Sequence, residues 1–238
     1  MGEDGKESKS KNETGGKKIK NNNESKKESS FKLMDRDYKI MQEIERWQIC
    51  TGRHIRYLAG FSGQRACDRR LRKLIEAGFL ERKKILYGVA GVYRNTYKVK
   101  TLIGTSREKK IRAEHLRHDI TVLDVAIYIN IREGISFESM KTERQLHSLD
   151  GFGIRKHRPD FVYKKDGETV CVEVELTLKA IDNFIKNMKS NFMDYDVQIW
   201  VVPDMDSKIA RILQEYAKKY TNIEILELEE VKRAWRDL

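Results

Sequence analysis

Apolar residues are almost absent before Met34 and recur with two distinct periods after it. Tyr38, Met41, Ile44 and Ile49, with Trp47 beside them, keep the three-and-four spacing of an amphipathic helix. A second, shorter helix fits residues 53–59, after Thr51 as N-cap. Ser62 is placed to cap a third, QRACDRRLRKLIEAGF, and Gly78 stands where a helix ends. Two β-like runs follow, LERKKILY and VYRNTYKVK, split by Gly88-Val89-Ala90-Gly91 in the manner of a hairpin.

Beyond residues 104–108, a polar linker, Leu116, Ile120, Leu123 and Ile127 form one helical stripe. A mixed stretch, the hairpin RPDFVYKKDGETVCVEVEL, a helix from about residue 180 and a buried-type strand, VQIWVVP, come next. An amphipathic helix carrying Ile209, Ile212, Leu213, Tyr216 and Tyr220 and a strand, NIEILEL, close the pattern. The expected fold is therefore mixed α+β and α/β. A polar tail covers residues 1–33, three helices and a hairpin in winged helix-turn-helix order cover 34–104, and an α/β domain covers 105–238.

Composition adds a partner class. Charged residues make up 36% of the chain and hydrophobic ones 39%, with a net charge of +11. That balance favours a polyanion, because Lys and Arg on phosphates release condensed counterions. The tail mixes Lys with Glu, Ser, Asn and Gly and is too polar to order itself; it reads either as a phosphate-touching arm or as a solubilising segment. Cys50, Cys67 and Cys171 are far apart and show no zinc or disulfide spacing. With no apolar run near the ~20 residues of a membrane span and no signal-peptide core, a cytoplasmic protein with no membrane partner is expected.

The third helix is the first candidate site. Cys67, Leu71, Leu74 and Ile75 share one side, and Arg65, Arg69 and Arg72 share another at i, i+4, i+7, flanked by Arg70 and Lys73. Such a helix packs its apolar side on the bundle and turns guanidinium groups to the major groove of double-stranded DNA. Lys83, Lys84, Arg94 and Lys98 fall on the expected wing, where phosphate contacts set register. A solvated helix face is the alternative. RRLRKLIEAGFLER also resembles the recognition helix and the beginning of the wing in many winged-helix regulators.

The second candidate is acidic. Asp166-Gly167 suits a two-residue type I′ turn, which sets Lys165 opposite Glu168, Tyr163 opposite Val170, Phe161 opposite Val172 and Asp160 opposite Glu173. Glu175 falls on the same face as Glu173, and Val172, Val174 and Leu176 form the other, expected in the core. Three carboxylates so close repel unless a cation, a proton or a lysine neutralises them.

Pro159-Asp160, a hairpin, then Glu173-Val174-Glu175 resembles the PD-(D/E)xK nuclease superfamily. The resemblance implies a restriction-endonuclease-like α/β domain in which Asp160 and Glu173 hold Mg²⁺ or Mn²⁺ beside the scissile phosphate. Glu175 stands where the family's lysine normally does, an ExE variant known in some restriction endonucleases, and Lys179 is the residue placed to supply the displaced cation. A scaffold kept for binding without turnover, or an ordinary solvated hairpin, fits the same residues. Glu114 lies off the apolar stripe of its helix and adds little.

In order, the three-helix-and-hairpin unit, HDITVLDVAIYI, RPDFV and VEVELT resemble the replication-relaxation family of plasmids and other mobile elements, over most of 34–203. That likeness implies action in replication, DNA relaxation or mobilisation at a plasmid or conjugative origin, with relaxase or replication proteins as partners. The histidine cluster of a tyrosine relaxase is not evident. His115 and His118 read as surface or packing residues, and His157 either contacts a phosphate or precedes a strand. Three function classes remain open: an origin-marking DNA-binding protein, a metal-dependent nicking endonuclease, and a winged-helix repressor dimerising through a segment such as IARILQEYAKKY.

Overall fold

The computed structural model describes residues 31–104, 111–151, 153, 156–178 and 180–236, so all but the end of the expected tail lies outside the described residues. Helix α1 (Asp35–Trp47) places Asp35 and Asp37 in its first turn and Arg46 in its last, the signs its dipole favours. Its buried stripe is Ile40, Met41, Ile44 and Trp47. Strand β1 (Cys50–Thr51) leads into α2 (Gly52–Leu58), and the Thr51 hydroxyl accepts the His54 N–H as the expected cap. Helix α3 (Gln64–Glu76) has Gly63 at its N-cap and no side-chain cap, so Ser62 does not serve; Gly78 follows its end with φ +75°.

Strands β2 (Leu80–Lys83) and β3 (Val92–Asn95) join β1 in an antiparallel sheet, order β1-β3-β2. The second β-like run is half wrong: it leaves the sheet at Asn95, and Tyr97–Ile103 is helix α4. Tyr97 and Val99 carry strand propensity, but here tertiary packing decides. Val99 is fully buried from a helical turn while Tyr97 stays 77% exposed. In the loop between β2 and β3, Ile85, Leu86 and Val89 fold back on a small core of Ile49, Val92 and Leu116, together with Ile111 and Ile120.

Helix α5 (Leu116–Glu133) is buried without interruption from Thr121 to Ile129. A helix apolar all round belongs inside, and this one touches β1 on one side and the second sheet on the other. After a 3-10 turn (Phe137–Ser139) come β4 (Lys141–Thr142), α6 (Glu143–Ser148), β5 (Phe161–Lys165), β6 (Glu168–Val174), α7 (Ile181–Asp194), β7 (Val197–Val202), α8 (Lys208–Ala217), β8 (Ile223–Glu227) and α9 (Leu228–Arg236). The sheet order is β4-β5-β6-β7-β8, antiparallel up to β6 and parallel beyond it.

The hairpin turn has φ +51° at Asp166 and +90° at Gly167, and the register is the expected one at Lys165–Glu168, Tyr163–Val170 and Phe161–Val172. Strand β6 is central, so Cys171 and Glu173 are buried along with Val172 and Val174. Leu176 falls past the strand and is only half-buried. One face of the sheet packs Trp200 and Val202 against Phe184 and Met188 of α7 and Ile209 and Leu213 of α8. Residues 33–238 form one unit, tied in part by Trp47 edge-on to Phe161 at 5.9 Å and by Arg46 donating to the Phe137 carbonyl. The architecture is mixed α+β with two sheets, and no described helix is long and apolar enough to cross a membrane.

Candidate nucleic-acid interface and acidic edge

Helix α3 separates its faces as its spacing predicts. Cys67, Leu71 and Leu74 are buried, whereas Arg65, Arg69, Arg72 and Lys73 are exposed. Arg70 departs from the set. Its guanidinium grips the fully buried carboxylate of Asp37 on α1 and fixes α3 to α1.

The hairpin residues divide as well. Lys83 is exposed and pairs with Glu81 at 2.8 Å, and Lys84 lies 5.8 Å from the ring of Tyr87, which is 96% exposed. Arg94, expected on the wing surface, is instead 7% exposed in the middle strand of its sheet, where all four residues of β3, on both faces, are buried. Lys98 is on α4 rather than on a wing strand; it caps α3 by donating to the Ala77 carbonyl at 3.0 Å and sits over the Phe79 ring.

The second site lies at the end of β6, beside the start of β5. In open sheets with parallel strands, the carboxyl edge is where loops converge and ligands bind. Asp160 and Glu173 do meet here, but each carboxylate is engaged by groups the sequence reading did not assign. The Val174 N–H donates to Asp160 Oδ2 at 2.7 Å, and His118 Nε2 of α5 stands 3.4 Å from Asp160 Oδ1. Glu173 points towards α7. Its Oε1 meets His157 Nε2 at 2.6 Å and accepts the Asn191 amide N–H at 2.9 Å.

The electrostatics follow from that pairing. Burial pulls the His118 imidazole down, but Asp160 and Asp119 outweigh it and hold the ring at about 10, charged at neutral pH. Burial pushes the Glu173 carboxyl up, with His157 and Asn191 offsetting part of the rise. His157 is itself raised: its bond to Glu173 overcomes the desolvation that lowers it. The pair keeps a proton to higher pH than a free imidazole does. We place that proton on His157, because Glu173 also receives the Asn191 donor.

Glu175 lies past the end of β6, half-buried, with its N–H donating to the Val201 carbonyl at 2.9 Å. Lys179 lies outside the described residues. Glu114 is exposed beside His115 at 3.7 Å. Among the described residues no three His, Cys, Asp or Glu side chains converge as a metal-holding group. Three of the four oxygens of Asp160 and Glu173 already face N–H groups. This arrangement does not fit the near-octahedral oxygen shell that Mg²⁺ demands. An imidazole faces each carboxylate of the acidic pair.

One legible signal for His118 existed. It sits on the side of α5 opposite Leu116 and Ile120, and a helix buried all round presents that side to a second packed layer. Asn191 gave no signal beyond being a polar residue within an apolar period. No protein-family model matches the chain, and no curated protein matches it.

Proposed function

We propose that this chain is a double-stranded DNA-binding protein of a bacterial plasmid or conjugative element, acting in the cytoplasm at an origin of replication, relaxation or mobilisation. The observation that carries the reading is the exposed Arg65, Arg69 and Arg72 face of α3, set opposite buried Cys67, Leu71 and Leu74. The order α1-β1-α2-α3-β2-β3 with its antiparallel sheet supports a winged helix-turn-helix, in which α3 enters the major groove. The resemblance to the replication-relaxation family supplies the setting and names relaxase or replication proteins as what the bound chain recruits. Gel shifts at moderate salt are the test. Preference for the element's own origin over random duplex, lost in Arg65→Ala and Arg69→Ala, is the expected result; equal binding to both duplexes overturns it. An arginine that reads guanine accounts for about 1–3 kcal/mol of discrimination.

A second reading is a nicking endonuclease or relaxase on a restriction-endonuclease-like domain, favoured by the meeting of Asp160 and Glu173 at the carboxyl edge. Such an enzyme must first release oxygens from His118 and His157. Supercoiled plasmid incubated with Mg²⁺, Mn²⁺ or EDTA decides it. Metal-dependent open circles that vanish in Asp160→Ala and Glu173→Ala support turnover; intact supercoils with a mobility shift leave a binding scaffold.

A further inference from the structure

We infer that the DNA-binding face of α3 and the acidic edge belong to one continuous nucleic-acid path, carried across the start of α5 by Arg112 and Arg117. This deepens the DNA-binding reading and rests on it. The link is mechanical first. Ile85, Leu86 and Val89 of the β2–β3 loop pack against the same small core of Ile49, Val92 and Leu116 as Ile111 and Ile120, so the loop and the beginning of α5 share one apolar cluster. The apolar residues of that loop face inward, and Tyr87 is left outside with Lys84 beside it. The opposite side of the same helix turn reaches the acidic edge through His118 and Asp160.

Helix geometry places Arg117 between the two. At about 100° per residue, Arg117 lies a quarter-turn from Leu116 and His118 a little over half a turn. The side chain between the loop-facing and the acid-facing surfaces is therefore cationic and exposed, as is Arg112 just before the helix. Among the described residues neither arginine makes an ion pair. Two exposed guanidinium groups on a strip between two candidate sites fit the phosphates of one duplex.

The acidic edge does not oppose this path. Asp160 and Glu173 would repel a phosphate backbone, but each is already matched by an imidazole. At the acidic pair, a duplex held by α3 and the loop meets carboxylates that imidazoles already face.

The test uses the full chain and a fluorescein-labelled 30-base-pair duplex of random sequence, with affinity followed by anisotropy from low to moderate salt. The Arg112→Ala/Arg117→Ala double variant is expected to lower the slope of log affinity against log salt by about 2, since each phosphate contact contributes roughly 0.9. Its melting temperature should stay unchanged. A photo-crosslinking residue at position 117 should also label the duplex. If slope, affinity and crosslinking at 117 show no contact while Arg65→Ala/Arg69→Ala still weakens binding, the path ends at α3 and the inference falls alone. If the unaltered chain binds no duplex at all, the DNA-binding reading falls and takes this inference with it.

Discussion

Two histidines carry the chemistry of the acidic edge, and their partners fix how it responds to pH. His118 has a folded value of about 10, above the usual imidazole value near 6.5. The charged form is therefore favoured by folding. Its contribution is complete below about pH 6.5 and is lost as pH rises through about 10. His118→Gln should melt below the unaltered protein at pH 6–8, with the two curves meeting as the pH passes about 10.5; parallel curves throughout would mean that Asp160 does not hold the ring. Asn191 tests the other couple. It is 1% exposed and supplies one of two donors to Glu173. Asn191→Ala should cost about 1–3 kcal/mol in urea unfolding. Sequence alone could not supply these pairings. Asp166-Gly167 encodes its own register within two residues, whereas His118 meets Asp160, and Asn191 meets Glu173, only after α5 and α7 dock on the sheet.

Helix α3 shows how far an element can be read from its own stripe. The periodicity separates Cys67, Leu71 and Leu74 from Arg65, Arg69 and Arg72 correctly. It cannot tell that Arg70, in the same run of arginines, is taken up by Asp37 from α1, because nothing in α3 encodes that partner. The difference is measurable. Arg70→Ala strands a carboxylate that is fully buried and should destabilise the fold by about 3–5 kcal/mol. Arg69→Ala removes an exposed side chain and should stay within about 0.5 kcal/mol of the unaltered protein, while weakening DNA binding. Equal losses of stability would remove the division of labour on this helix. Helix α4 shows the opposite limit: the Tyr97 to Lys100 run has strand-like composition, and only the burial of Val99 from a helical turn settles its form.

At the scale of the molecule, α5 joins what the sequence suggests are two separate parts. Asp124 near its middle takes both oxygens to Arg53 of α2, at 2.5 and 2.7 Å, and meets His54 at 2.8 Å. The Asp124 carbonyl accepts the Trp235 indole N–H of α9 at 3.4 Å, and the Arg53 guanidinium lies 4.7 Å from the Trp235 ring. The Gly/Ser-free apolar run of α5 was legible as a helix, but not as a shared core, because its long-range partners lie at both ends of the chain. A helix that buries one side against β1 and another against β6 cannot lose one sheet without exposing apolar surface to water. Residues 33–238 should therefore unfold in one cooperative calorimetric transition, with the van't Hoff and calorimetric enthalpies equal. Asp124→Ala should lower that single transition by about 2–3 kcal/mol, the worth of lost hydrogen bonds to a charged group. Two resolved transitions, only the earlier of them shifted by the substitution, would mean that α5 packs on both sheets without coupling them.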